Sequence, residues 1–144
     1  MAQAEHLPIY KSAYDFCLYA EQVVRNFSRY HKYSIGTDLR DGARRVLKLI
    51  VRANSRHDKV PVLLQIREEV EELKVLLRLC HDVKAFAKFS SFEHAITAVT
   101  EIAKQNEGWL KSQRQGQRPT GAGPTGAGQN RRVILAGVAE PSVP

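Results

Sequence analysis

Apolar residues recur at every third or fourth position in four separate segments of this chain, and none shows the alternation of a β-strand. The first segment places Ile9, Ala13, Phe16, Ala20, Val23 and Phe27 on one face, with Pro8 where a first helical turn tolerates it. The second runs from about Ser34 to Asn54, with Leu39, Ala43, Val46, Leu47, Ile50 and Ala53 as its apolar stripe. The third begins near Pro61 and carries Val62, Ile66, Val70, Leu73, Leu77 and Cys80. In the fourth, Ser90 and Glu93 have the spacing of a capping box, followed by Phe92, Ala95, Ile96, Val99, Ala103 and Leu110. Four amphipathic helices of roughly 18 to 25 residues with short connections predict an all-α fold, an antiparallel up-down four-helix bundle.

The pattern stops after Arg114. "QGQRPTGAGPTGAGQNRR" repeats PTGAG in tandem and offers no core residues, so the bundle is expected to occupy residues 1–114. Residues 115–144 are expected to form a flexible Pro/Gly-rich tail that buries too little apolar surface to offset the entropy of ordering it. No apolar run approaches the roughly 18 residues of a membrane span, and "MAQAEHLPIY" lacks the apolar core of a secretory signal. A cytoplasmic protein without a membrane partner is expected. Cys17 and Cys80 stand far apart in apolar surroundings and read as small hydrophobes rather than a disulfide pair.

Charge changes the picture. The chain carries a net charge of +7, and all of it falls between positions 25 and 59, where ten lysines and arginines face three aspartates. At about 100° per residue, Arg44, Arg45, Lys48, Arg52 and Arg56 fan over roughly 120° of the second helix, opposite its apolar stripe. A solvated face usually mixes signs, as the third helix does with Arg67, Glu68, Glu69, Glu71, Glu72 and Lys74. The second is nearly one-signed and rich in arginine, whose planar fork suits phosphate. Arg29, Lys32, Arg40, Arg44, Arg45, Lys48, Arg52 and Arg56 are therefore the candidate contacts for a polyanion or an acidic partner. Tyr30, His31 and Tyr33, set among these cations, suit either the stacking of unpaired bases or a plug where the chain reverses. Tyr14, Leu18, Leu64, Val75 and Leu79 fall outside the core stripes and predict a homo-oligomer interface.

Little in the sequence points to catalysis. It has no Gly-rich phosphate loop, no HExxH and no Cys/His cluster at metal spacing, so no catalytic residue, metal or cofactor is expected. Arg52-x4-His57 and Arg25-x5-His31 match the loose signature of HEPN ribonucleases, which such a basic composition also produces by chance.

"HKYSIGTDLRDGARRVLKLIVRANS" resembles the entry to the second helix in a bacterial four-helix-bundle family. That family includes the ribosomal RNA intervening-sequence proteins and Avd, the accessory variability determinant of diversity-generating retroelements. "LPIYKSAYDFCLYAEQVVRNFSRYHKYSIG" and "AITAVTEIAKQNEGWLKSQ" look more like the Avd branch, and the likeness covers about residues 7–113. The Pro/Gly tail departs from it. The resemblance implies a non-catalytic, basic, barrel-shaped homopentamer. Such an assembly binds a reverse transcriptase and helps it copy template RNA into mutated cDNA. An intervening-sequence-type RNA-binding bundle without a transcriptase, or a HEPN-like ribonuclease, is the alternative.

Overall fold

The computed structural model describes residues 3–116, and they contain helices and no strand. A 3-10 turn at Ala4–His6 leads into α1 (Pro8–Arg25); α2 (Arg29–Lys32) is a single turn; α3 (Ile35–Ser55), α4 (Val60–Asp82) and α5 (Phe89–Gly116) complete the order. Neighbouring long helices run antiparallel. Glu21 of α1 reaches Arg44 of α3, while Val24 lies against Gly36. Arg45 of α3 meets Glu69 of α4, while Gly42 faces Leu73. On α4 and α5, His81 stacks on Phe92 at 4.4 Å, and the Asn106 amide donates to the Leu63 carbonyl at 3.0 Å. The four long helices form a helical bundle around one core. The residues expected to form the tail lie outside the described region, except Gln115 and Gly116, which continue α5.

Burial follows the predicted stripes closely on three helices. All six predicted residues of the first segment are buried, including Phe27 just beyond the end of α1, and Val24 joins them. All six of the third are buried, with Leu63 added. On α3 only Leu47 rises to half-buried, and Gly36 and Gly42 join the core. Both glycines serve close approach: a Cβ on Gly36 would meet Val24 Cγ1 at 2.7 Å and the His31 carbonyl at 3.0 Å. On Gly42 it would meet Leu73 Cδ2 at 2.9 Å.

Several expectations need correction. Leu64, expected off the core, is half-buried against it. The expected capping box is absent, because the Ser91 N–H donates to the Lys88 carbonyl at 3.1 Å and α5 starts at Phe89, ahead of Ser90. On α5 the buried set is Ala95, Val99, Ile102, Asn106 and Leu110; Phe92, Ile96 and Ala103 are only half-buried. Asn106 therefore occupies a core position. Its Nδ2 is satisfied by Leu63, but its Oδ1 is buried without a partner among the described residues. Cys17 and Cys80 are free thiols, the first half-buried and the second fully buried. Burial pushes the Cys17 thiol up to about 11 and Cys80 up to about 12. Both therefore stay protonated at neutral pH.

α4 ends in a turn that normally calls for glycine. The Ala85 N–H reaches back to the Cys80 carbonyl at 2.8 Å and the Lys84 N–H to His81 at 3.0 Å, a Schellman arrangement. Lys84 occupies its left-handed position with φ 64°. A side chain there crowds the following carbonyl, whereas glycine does not. Lys84→Gly is expected to raise unfolding stability by about 1 kcal/mol. A urea titration checks it; an unchanged or lower midpoint counts against this account of the turn.

Candidate nucleic-acid interface

α3 positions the cations, because its inner face is fixed by Leu39, Ala43, Val46, Ile50 and Ala53. Side chains opposite those residues must point outward. Arg44, Arg45, Lys48, Arg52 and Arg56 are all exposed. Their environments differ, however, and the face is not one-signed along its length.

The N-terminal half is neutralised. Arg44 donates to Glu21 of α1 at 2.9 Å and to Asp41 at 2.6 Å. Arg45 Nε donates to Glu69 of α4 at 3.1 Å. Arg40 is only half-exposed: its Nη2 donates to Thr37 Oγ1 at 3.3 Å, and its Nη1 lies 3.7 Å from Glu21. Its Nε is buried without a partner among the described residues. Arg40 thus belongs to the packing between α1 and α3 rather than to an open surface.

The C-terminal half is different. Lys48, Arg52 and Arg56 have no carboxylate partner among the described residues. They follow one another at four-residue intervals, a rise of about 6 Å per step along the helix. Lys59 is withdrawn from this set, since its ammonium donates to the Asn54 carbonyl at 3.3 Å and the Arg56 carbonyl at 2.6 Å. There it caps the open carbonyls at the end of α3. The unpaired cations thus lie beside the C-terminal end of α3, where the helix dipole favours positive charge.

The aromatic segment folds as α2 rather than as an open loop. Ser28 caps it by accepting from the His31 N–H at 3.5 Å, and the Ser34 hydroxyl donates to the Tyr30 carbonyl at 2.8 Å. Tyr30 and Tyr33 are 80% and 71% exposed, and His31 is half-buried with its ring edge-on to Tyr30. These three side chains line a groove of about 440 Å³ with Ile35, Leu76, Leu79 and Val83. Asp38 lines it too, and no lysine or arginine does. The structure thus brings the rings together with apolar side chains of α4, not with Lys48, Arg52 and Arg56. Arg29 is exposed and Lys32 half-buried on α2.

Of the residues expected to form an oligomer contact, Tyr14, Leu18, Val75 and Leu79 are exposed. Tyr14 stacks on Tyr10 with ring centroids 5.9 Å apart, so α1 presents a continuous apolar strip. The neutralising carboxylates Glu21 and Glu69 were not legible as partners, since each comes from another helix. The Asp41–Arg44 pair, by contrast, has the spacing of a helical ion pair. Among the described residues, no group of three or more His, Cys, Asp or Glu side chains is placed to hold a metal ion. Nor is any described helix long and apolar enough to cross a membrane.

These features define a class: a small helical bundle with unpaired cations along one helix and apolar strips left uncovered on others. The chain belongs to the bAvd-like family, whose sequence model matches residues 7–113. No curated protein matches it.

Proposed function

We propose that this chain is a non-catalytic accessory protein of a diversity-generating retroelement. In this reading it works in the cytoplasm, binding a reverse transcriptase together with the template RNA or its cDNA, and supports mutagenic cDNA synthesis and retrohoming. The observation that carries the reading is family membership over residues 7–113, joined to the unpaired Lys48, Arg52 and Arg56. Three adjacent cations without carboxylates can release counterions from a phosphate backbone, which gives binding with little sequence preference. Arg44 and Arg45 contribute less, because a phosphate must displace Glu21, Asp41 or Glu69 to reach them. Arg29 and Lys32 extend the candidate cation set onto α2.

Self-association, as a homopentamer, belongs to the same reading. The strip formed by Tyr10, Tyr14 and Leu18 on α1 supports it, since a lone bundle would leave these side chains in water. A five-fold ring sets this strip against a different surface of the next copy.

Co-expression with a reverse transcriptase of a diversity-generating retroelement, followed by size-exclusion chromatography with light scattering, tests the proposal. A co-eluting complex is expected, and the chain alone should have a mass several times its 16.2 kDa. Separate elution of the two proteins would refute the partnership. A 16.2 kDa species at micromolar concentration would refute the assembly.

A further inference from the structure

A second surface has the opposite character to the basic face. Two grooves between α3 and α4, of about 340 and 440 Å³, share Asp38, Leu76 and Leu79, so they form one trough. It follows α4 from Glu69 to Val83, a length of ~21 Å at the helical rise. Leu73 and Leu76 lie in its floor, and Gly42 lets α3 approach without a side chain in the way. Val75, Leu79 and Val83 stand 69%, 49% and 40% exposed along it, and Tyr30 and Tyr33 close one end. These are five of the nine large hydrophobics that the described residues leave exposed.

The charges around the trough select its occupant. Asp38, Asp41, Glu69 and Glu72 line it, against Arg45 alone. Arg45 is held by Glu69 and Asp41 by Arg44. Asp38 and Glu72 are left without an ion-pair partner among the described residues. A carboxylate rim repels phosphate, so nucleic acid does not suit this surface. A second copy suits it poorly as well. The apolar strip of α1 is flanked by the mutually paired Lys11 and Asp15 and by Glu21, and the outer face of α3 offers only Val51.

We propose that the trough docks an amphipathic helix of another protein, roughly four turns long, apolar on one face and edged with lysine or arginine. The inference rests on the proposed partnership with a second protein and adds where, and with what chemistry, that partner is held. Protein and polyanion then occupy different surfaces and can be bound at once. Tyr30 and Tyr33 contact the protein partner rather than stacked bases.

The test uses the full chain and a fluorescein-labelled amphipathic peptide of leucine and lysine, about 14 residues long to match the trough, followed by anisotropy. A peptide with glutamate in place of every lysine is the control. Saturable binding of the lysine peptide and none of the glutamate peptide is expected. Val75→Ser with Leu79→Ser should weaken binding about tenfold or more, as loss of a central apolar anchor does. Asp38→Asn with Glu72→Gln should weaken it about fivefold, the scale of two exposed ion contacts. Both double variants should bind single-stranded RNA as the wild type does. Equal binding of the two peptides, or wild-type affinity in both variants, overturns the proposal. A fall in assembly mass with Val75→Ser and Leu79→Ser also overturns it, by placing a second copy in the trough. Peptide binding with these dependences supports the trough even if the chain binds no RNA, a result that counts against the proposed function alone.

Discussion

Replacing Lys48, Arg52 and Arg56 together by alanine is expected to cut affinity for single-stranded RNA about 100-fold at 0.1 M salt. Each phosphate contact on a single strand contributes about 0.7 to the slope of log K against log salt, so three lost contacts flatten it by about 2. DNA binding should fall in parallel, because backbone contacts carry no base information. The fold should survive, since all three side chains are exposed and none holds a carboxylate among the described residues. The control is instructive. Arg44→Ala with Arg45→Ala removes two positive charges, against three, and takes them from existing ion pairs with Glu21, Asp41 and Glu69. Its effect on RNA affinity, per charge removed, should be clearly smaller. Equal losses per charge removed would mean that net charge alone, and not the unpaired cluster, governs binding.

The largest expected effect on stability is in α1. Phe16 is 2% exposed and faces the centre of the core, so Phe16→Ala should cost about 3–5 kcal/mol through lost burial and the cavity left behind. Gln22, on the same helix, is exposed, and Gln22→Ala should stay within about 0.5 kcal/mol. Urea unfolding followed by circular dichroism measures both. Similar midpoints for the two variants would contradict the packing described for α1.

Much of this architecture was legible because helical periodicity is a local property. The stripes on α1, α3 and α4 needed only a 3.6-residue repeat of apolar side chains. α5 misled for a definite reason. Its true buried set runs through Asn106, a polar residue, so following apolar letters alone shifted the stripe towards Phe92, Ile96 and Ala103 and missed Ile102. The site was legible in a different sense. The clustering of cations on α3 was plain in the sequence, and the pairing that divides it was not. Glu21 and Glu69 reach Arg44 and Arg45 only because α1 and α4 pack against α3, a tertiary fact that no spacing encodes. Leu64 was misplaced in the same way: its position on the helical wheel lies off the stripe, yet it packs against the core. Tyr30 and Tyr33 looked like companions of the basic residues beside them in sequence. In the fold they share a groove with Leu76, Leu79 and Val83 instead.

The central claim is that the chain assists a reverse transcriptase through its unpaired cations. Its most direct measurement is cDNA yield from a purified reverse transcriptase of a diversity-generating retroelement, copying that element's template RNA. Three reactions are compared: without the chain, with the wild type, and with the Lys48→Ala, Arg52→Ala, Arg56→Ala variant. The account predicts strong stimulation by the wild type and little by the triple variant, with the variant still folded by circular dichroism. Yield unchanged by adding the wild-type chain would contradict it.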